Sequence, residues 1–429
     1  MGLNEMTQGF DEIVRTIEVG HDPIKQKMSE LSDAIGNAAS ATTDAVEETK
    51  NVQNKILDGR ALELATKLNA AAGLIVAGKE NDFKNGIVCS SAGNHAQGVS
   101  YSCKKLNIKG TIFMPTTTPQ IKIKKVKEFG GDYVDVKLVG DSYDDCYKSA
   151  LEFTKLNNKT FIHPFDDYKV IEGQATLAFD VFRELDKTID YIFVPIGGGG
   201  LISGFISVFK QLSPNTKIIG VEPQGAPSMK KSLDNGKLVE LDHIDTFVDG
   251  AAVKKTGRIA FELCKNFLDG IILVPEGYIC QTILEMYNNE GIIVEPAGAM
   301  SVASLNYYKK EIIGKKVLCL VCGGNNDITR MGQIKERALF HSNLKHYFII
   351  NFPQRAGALK EFVNNILGKN DDITFFEYSK KTSKDKGPAI VGIQLKNEDD
   401  LNSLLERMKR NNLSYEYINN NETLFNFLT

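Results

Sequence analysis

The chain has 429 residues, of which 42% are hydrophobic, 24% charged and 9% aromatic; this is ordinary globular composition, which excludes a wholly disordered, collagen-like or disulfide-scaffold protein and predicts two or three domains of roughly 150 residues each. Lys plus Arg number 51 against 54 Asp plus Glu, a net charge of −3, so there is no basic field to hold nucleic acid or an anionic membrane, and the expected partners are small molecules or copies of the chain. No apolar run nears the ~18 residues that span a bilayer, and Met1 to Met6 lack the basic start and apolar stretch of a secretory signal, which makes the cytoplasm the expected location.

Residues 1 to 80 are alanine-rich over Asp33 to Val46 and Ala61 to Ala70, favour helix, and contain no clear strand. From about residue 86, β-branched runs alternate with amphipathic stretches: Gly86 to Cys89, Thr111 to Met114, Tyr133 to Val136, Tyr191 to Val194, Ile218 to Val221, Ile271 to Val274 and Val317 to Val321. Strand and helix in repetition predict an α/β chain with open, mostly parallel sheets covered by helices, and ligands at the carboxyl ends of the strands. Past residue 340 the texture changes. Strands over Lys345 to Ile350, Asp372 to Tyr378 and Pro388 to Gln394, a helix after Pro353, another over Asp399 to Lys409 and a last strand near Tyr415 give the β-α-β-β-α-β order of a ferredoxin-like α+β domain. The predicted domains are 1–340 and 341–429.

Seven cysteines, an odd number spread over a long chain, predict reduced thiols. Cys319 and Cys322 form a C-x-x-C pattern, but the apolar run from Lys316 to Cys322 reads as one buried strand, in which positions three apart face opposite ways and the sulfurs cannot meet. The six histidines show no ligand spacing, so no metal is expected.

Three small-residue loops carry the chemistry. Gly197, Gly198, Gly199, Gly200 and Leu201 follow a strand and precede a helix, a setting in which backbone N–H groups converge as a phosphate cradle. Neither a P-loop nor a G-x-G-x-x-G pattern is met, so a monophosphate cofactor fits better than a nucleotide; a glycine-rich turn without ligand is the alternative. The run Ser90 to Gly98 sits at a second strand-to-helix junction, where its serines and asparagine predict a helix cap and its glycine an approach to a carboxylate. The third loop, Cys322 to Asn326, lies on the same predicted sheet edge, where the three would share one pocket.

Ser91-Ala-Gly-Asn-His-Ala-Gln-Gly98, Gly197-Gly-Gly-Gly-Leu201, Val294-Glu-Pro-Ala-Gly-Ala299 and Cys322-Gly-Gly-Asn-Asn326 resemble, in order and spacing, the signatures of the pyridoxal-phosphate-dependent threonine and serine dehydratases. Phe113 to Pro119, Phe165-Asp-Asp167, Glu172 to Thr176 and Val248 to Val253 extend the resemblance over residues 85 to 340. Phe352 to Leu359 and Asp372 to Lys381 resemble the ACT-like regulatory domain of the short biosynthetic form. The resemblance implies fold type II, with pyridoxal 5'-phosphate as cofactor. Gly197 to Leu201 would hold its phosphate, Asn94 its ring hydroxyl oxygen and Cys322 its pyridine nitrogen, while Ser91, Ala92, Gly93 and Asn94 would hold the substrate carboxylate. It further implies loss of water and ammonia from L-threonine to give 2-oxobutanoate for isoleucine synthesis, an isoleucine- or valine-class effector, and a homo-oligomer, as a homotetramer.

The family's Schiff-base lysine precedes the serine of the Ser-Ala-Gly-Asn-His motif by 24 residues, a spacing that falls here on Lys67. Leu68 is kept, but the flanking phenylalanine, arginine and glycine of the family pattern are not. Two other readings follow: a catabolic serine/threonine dehydratase, and a non-catalytic amino-acid-binding regulatory protein without a working lysine.

Overall fold

The computed structural model describes residues 83–185, 188–324, 326–378 and 385–419, without the side chain of Asp144. Lys67 and the atypical amino-terminal segment lie outside these residues. The chain divides into two compact units, one comprising residues up to Glu276 together with Glu290–Asp327, the other Gly277–Asn289 with Ile328 onward.

The first unit contains two four-stranded parallel sheets. In the first, β1 (Ile87–Ser90) is followed by helix α1 (Asn94–Leu106), β2 (Gly110–Met114), α2 (Gln120–Gly130), β3 (Val134–Leu138), α3 (Tyr143–Leu156) and β4 (Thr160–Phe161), and the strand order is β3-β2-β1-β4. β1 and β2 are buried throughout, as expected of central parallel strands covered on both faces. Cys89, Ile112 and Met114 pack on the side of α1, and Val88 and Phe113 on that of Cys146 and Ala150 in α3. β4 does not stand out in the sequence because it pairs over only two residues, Thr160 and Phe161, beside Ile87 and Val88.

After α4 (Tyr168–Glu184) the second sheet forms in chain order from β5 (Tyr191–Pro195), α5 (Gly200–Leu212), β6 (Lys217–Pro223), α6 (Ser228–Asn235), α7 (Arg258–Phe267), β7 (Gly270–Val274), α8 (Glu276–Glu290), which itself belongs to the second unit, α9 (Pro296–Ser304), the short α10 (Lys309–Ile312) and β8 (Val317–Cys319). Its order is β7-β6-β5-β8. The last strand is shorter than the apolar run suggested: it ends at Cys319, so Cys322 stands in the loop beyond it. Among the described residues no disulfide forms, and the Cys319 thiol donates to the Ser301 carbonyl at 3.7 Å.

Helix α5 is apolar on nearly every side and buries Ile202, Phe205, Ile206, Val208 and Phe209 between the sheet and α4, the pattern of a core helix. Gly204 permits its close approach to α4, since a Cβ there would stand 2.7 Å from the Ala175 nitrogen.

In the second unit, α11 (Met331–His341) leads into β9 (Lys345–Pro353), α12 (Ala358–Asn365), β10 (Asp372–Tyr378), β11 (Lys386–Gln394), α13 (Asp400–Arg410) and β12 (Tyr415–Tyr417). The antiparallel order β10-β11-β9-β12 is the ferredoxin-like arrangement read from the sequence. Phe348, Ile350, Val391 and Ile393 bury one face of this sheet with Phe362, Leu404 and Met408. Among the described residues no helix is long and apolar enough to cross a membrane.

Because the atoms facing Gly204 are backbone and cannot swing aside, Gly204→Ala is expected to cost roughly 1–3 kcal/mol by overpacking. A lower midpoint of urea denaturation would register it.

Candidate active site

The peptide groups of the tetraglycine turn are oriented by what their carbonyls do. The Gly198 oxygen accepts from the Gly257 N–H at 2.9 Å and the Thr256 hydroxyl at 3.1 Å, and the Gly199 oxygen from the Ser203 N–H at 3.1 Å and hydroxyl at 2.7 Å. N–H and C=O oppose each other across a trans peptide, so the amides of Gly199 and Gly200 point the other way, out of the start of α5. That start has no side-chain cap and no acidic residue in its first turn. A buried, uncapped helix N-terminus carries orphan N–H groups and partial positive charge, which an anion satisfies.

Glycine is required here for two reasons. Gly199 has φ +95°, a left-handed conformation that other residues rarely adopt. At Gly198 a Cβ would fall 2.1 Å from the Phe165 ring. The turn thus has backbone amides on one side, packed atoms on the other and no side chain between, which is how a phosphate cradle must be built; the residues present fit the phosphate of pyridoxal phosphate.

A second uncapped N-terminus belongs to α1. The sequence predicted a serine or asparagine cap, but the N-cap residue is Gly93, with no side-chain cap bond. Ser91 Oγ instead accepts from the Gly93 N–H at 3.2 Å, which leaves the first-turn amides of α1 available to a carboxylate. One turn along, Gln97 is buried with neither atom of its amide partnered among the described residues. Such a group is costly unless an occupant of the site serves it.

Glu295, in a motif whose resemblance gives it no role, joins the parts. Its Oε1 accepts from Asn94 Nδ2 at 3.3 Å, and its N–H donates to the Gly323 carbonyl at 2.9 Å. Gly323 has φ +97°, and a Cβ on it would lie 2.2 Å from Glu295 Oε1. Burial pushes the neighbouring Cys322 thiol up to about 12, with the Glu295 charge adding to the shift, so the thiol keeps its proton. On the other side, a Cβ at Gly250 would meet Ala297 at 2.9 Å and Glu295 Oε1 at 3.4 Å, and one at Gly197 would lie 2.9 Å from Ala251 Cα. Asn94, Cys322 and the tetraglycine turn therefore converge around Glu295 and the Gly250–Ala251 loop. The signal available in the sequence was a carboxylate among small, apolar residues, a placement that requires partners.

Behind the cradle, Glu222 on β6 is buried and accepts from the Met229 and Lys230 N–H groups at 2.7 and 2.8 Å. This fixes the start of α6 and sets Met229 against Gly199, whose Cβ would stand 3.4 Å from Met229 Cε. Burial raises the Glu222 carboxyl from 4.5 to about 7, against the lowering effect of those two amides and of Lys230. Among the described residues no group of three or more His, Cys, Asp or Glu side chains is arranged to hold a metal.

The folded chain holds the Glu222 proton more tightly than the unfolded one. The resulting stabilisation is complete below about pH 4.5 and is lost as pH rises through about 7. Urea midpoints compared at about pH 5 and about pH 8 should therefore decline less in Glu222→Gln than in the wild type.

Residues 60–323 match the family model described as pyridoxal-phosphate dependent enzyme, and residues 336–428 that of the C-terminal regulatory domain of threonine dehydratase. The L-threonine dehydratase biosynthetic IlvA of Halalkalibacterium halodurans is 55% identical over 349 residues, covering 81% of this chain and 84% of that one. Its counterpart in Bacillus subtilis is 53% identical over 345 residues, covering 80% and 82%. Among solved structures, the processed form of threonine deaminase isoform 2 from Solanum lycopersicum superposes with a TM-score of 0.60 at 40% identity, covering 64% of this chain and 79% of that one. With both of its domains matched in this way, the chain belongs to the pyridoxal-phosphate-dependent enzymes and, within them, to the biosynthetic threonine dehydratases.

Proposed function

We propose that the chain removes water and ammonia from L-threonine by β-elimination to give 2-oxobutanoate, as the first step of isoleucine synthesis, and that residues 341–429 adjust this activity in response to an isoleucine- or valine-class amino acid. The observation that carries the reading is the buried, uncapped start of α5, whose carbonyls are engaged behind the turn.

Bound pyridoxal phosphate supplies an electron sink for negative charge at the substrate α-carbon. The chain's own groups do the rest. Gly197 to Leu201 bind the phosphate through backbone amides. Asn94, whose side-chain amide is held by Glu295 at 3.3 Å, is placed toward the ring hydroxyl oxygen. Cys322 stays a neutral thiol and is a weak donor, so it leaves the pyridine nitrogen without the proton that a carboxylate would fix there. A nitrogen so held would make the ring a mild electron sink, which suits loss of a β-hydroxyl group. Ser91 to Asn94 hold the substrate carboxylate at the start of α1. Lys67, which lies outside the described residues, would provide the amine that bonds the cofactor. Residues 1–340 make up the catalytic domain, and the working form is a cytoplasmic homotetramer.

Purified protein given pyridoxal phosphate should absorb in the visible range and convert L-threonine to 2-oxobutanoate, with both properties lost in Lys67→Ala. A wild type that stays colourless and inert would favour the non-catalytic reading. Cys322→Ser should retain turnover, whereas Cys322→Asp, which sets a second carboxylate beside Glu295 and protonates the ring nitrogen, should slow it by about tenfold or more. Steady-state kinetics on the two variants separate these outcomes.

A further inference from the structure

His163 lies between β4 and α4 and has no part in the chemistry above. Its Nδ1 accepts from the N–H groups of Phe165 and Asp166, at 3.2 and 2.8 Å. A ring nitrogen with two N–H groups aimed at it is an acceptor, so the proton of the neutral imidazole is on Nε2. Acceptance from residues two and three ahead is the bonding of an Asx-type turn, with an imidazole in place of an amide oxygen.

The turn it holds presses on the cradle. The His163 and Phe165 rings meet edge to face at 4.9 Å. Phe165 fills the space a Cβ on Gly198 would need, and its backbone and Cβ lie 3.4 Å from where a Cβ on Gly200 would stand. The next residue, Asp166, accepts from the Ile259 N–H at 2.9 Å, tying the same loop to the start of α7. Immediately before that helix, Gly257 donates to Gly198. The loop thus supports the tetraglycine turn both through the Phe165 ring and through the segment that engages the Gly198 carbonyl.

We propose that neutral His163 is a positioning residue for the phosphate cradle: as the acceptor of the 163–166 turn it holds Phe165 against Gly198 and Gly200, and protonation of its Nδ1 releases that support. The inference rests on the assignment of Gly197 to Leu201 to the cofactor phosphate. Protonation would turn Nδ1 from acceptor to donor, so that both N–H groups lose their partner at once. The groups facing the imidazole are Tyr147 from α3 and Phe161 from β4, with rings at 5.9 and 6.3 Å, His95 from α1, and Asp166 and Asp167 of its own loop. Burial holds its pKa below 6.5, against the raising effect of the two aspartates. His95 is itself pushed down to about 4 by burial.

The test measures the dissociation constants of pyridoxal phosphate and of pyridoxal, which lacks the phosphate, by equilibrium dialysis against the full-length apo-protein. His163→Leu, which has no acceptor, should bind pyridoxal phosphate about tenfold more weakly, the scale of two lost hydrogen bonds, and pyridoxal as the wild type does. His163→Asn supplies Oδ1 at the same distance along the side chain and should restore the affinity. The wild type should also weaken relative to His163→Asn as pH falls below 6.5, a ratio in which the titration of the phosphate itself cancels. Equal affinities in wild type and His163→Leu, or equal losses for the two ligands, would overturn the proposal. If His163→Leu does not fold, the comparison with His163→Asn decides, and parallel pH profiles overturn it. A wild type that binds pyridoxal phosphate no better than pyridoxal would instead defeat the cradle assignment itself, and this inference with it.

Discussion

The site depends on the opposition of N–H and C=O within a planar peptide. Once the carbonyls of Gly198 and Gly199 are fixed by Gly257, Thr256 and Ser203, the amides that follow them have no freedom to turn. Affinity for an anion is then determined before the anion arrives, without reorganisation on binding. An acidic or hydroxyl cap on α5 would have met the same orphan amides internally and closed the site. A glycine N-cap at φ +95° combines the required backbone conformation with the lack of a competing group.

The same logic extends across the first unit through Glu295. A buried carboxylate is tolerated only where its oxygens are served, and here it is bonded to an amide on a helix of the first sheet while its own N–H bonds the loop after the last strand of the second. The two sheets are thereby joined by polar contacts with defined partners, in the region where the cofactor ring would lie. Apolar packing tolerates small slips; a hydrogen-bonded carboxylate does not, because each misplaced partner leaves an unsatisfied buried group. Asn94 and Cys322, contributed by different sheets, gain a common reference from it.

What could be read from the sequence follows from this division between local and distant causes. Strands buried on both faces declare themselves as continuous apolar runs, so the central strands of both parallel sheets and the β-α-β-β-α-β order of the second unit were legible, and so were the glycine turn and the helix starts. β4 was not, because two residues carry no periodicity. The run from Lys316 to Cys322 misled for the opposite reason: an apolar sequence continues past the point where pairing stops, and Cys322 stands outside the strand that seemed to contain it. The expected cap of α1 failed because Ser91 bonds the Gly93 N–H rather than the helix start, a choice set by the loop and not by residue type. Glu295 and His163 were out of reach of local reasoning, since the role of each comes from residues such as Asn94, Gly198 and Gly323 that lie far away in the chain. Lys67 was proposed from the spacing of the family it resembles and lies outside the described residues.

In the second unit, polar contacts add to apolar ones where α11 meets the sheet. Lys345, at the start of β9 and only 4% exposed, bonds the Thr374 hydroxyl of β10 and pairs with Glu336 of α11 at 3.4 Å. The Tyr347 hydroxyl donates to the same Glu336 oxygen at 2.8 Å, and the Tyr347 ring stacks on Phe340 one turn further along that helix. A buried lysine without its carboxylate would be far more costly than an apolar pair at the same place. Sliding α11 along β9 would strand Lys345 and Glu336 together, so the helix has one low-energy position against the strand, and intermediate positions are disfavoured more steeply than greasy packing alone would make them.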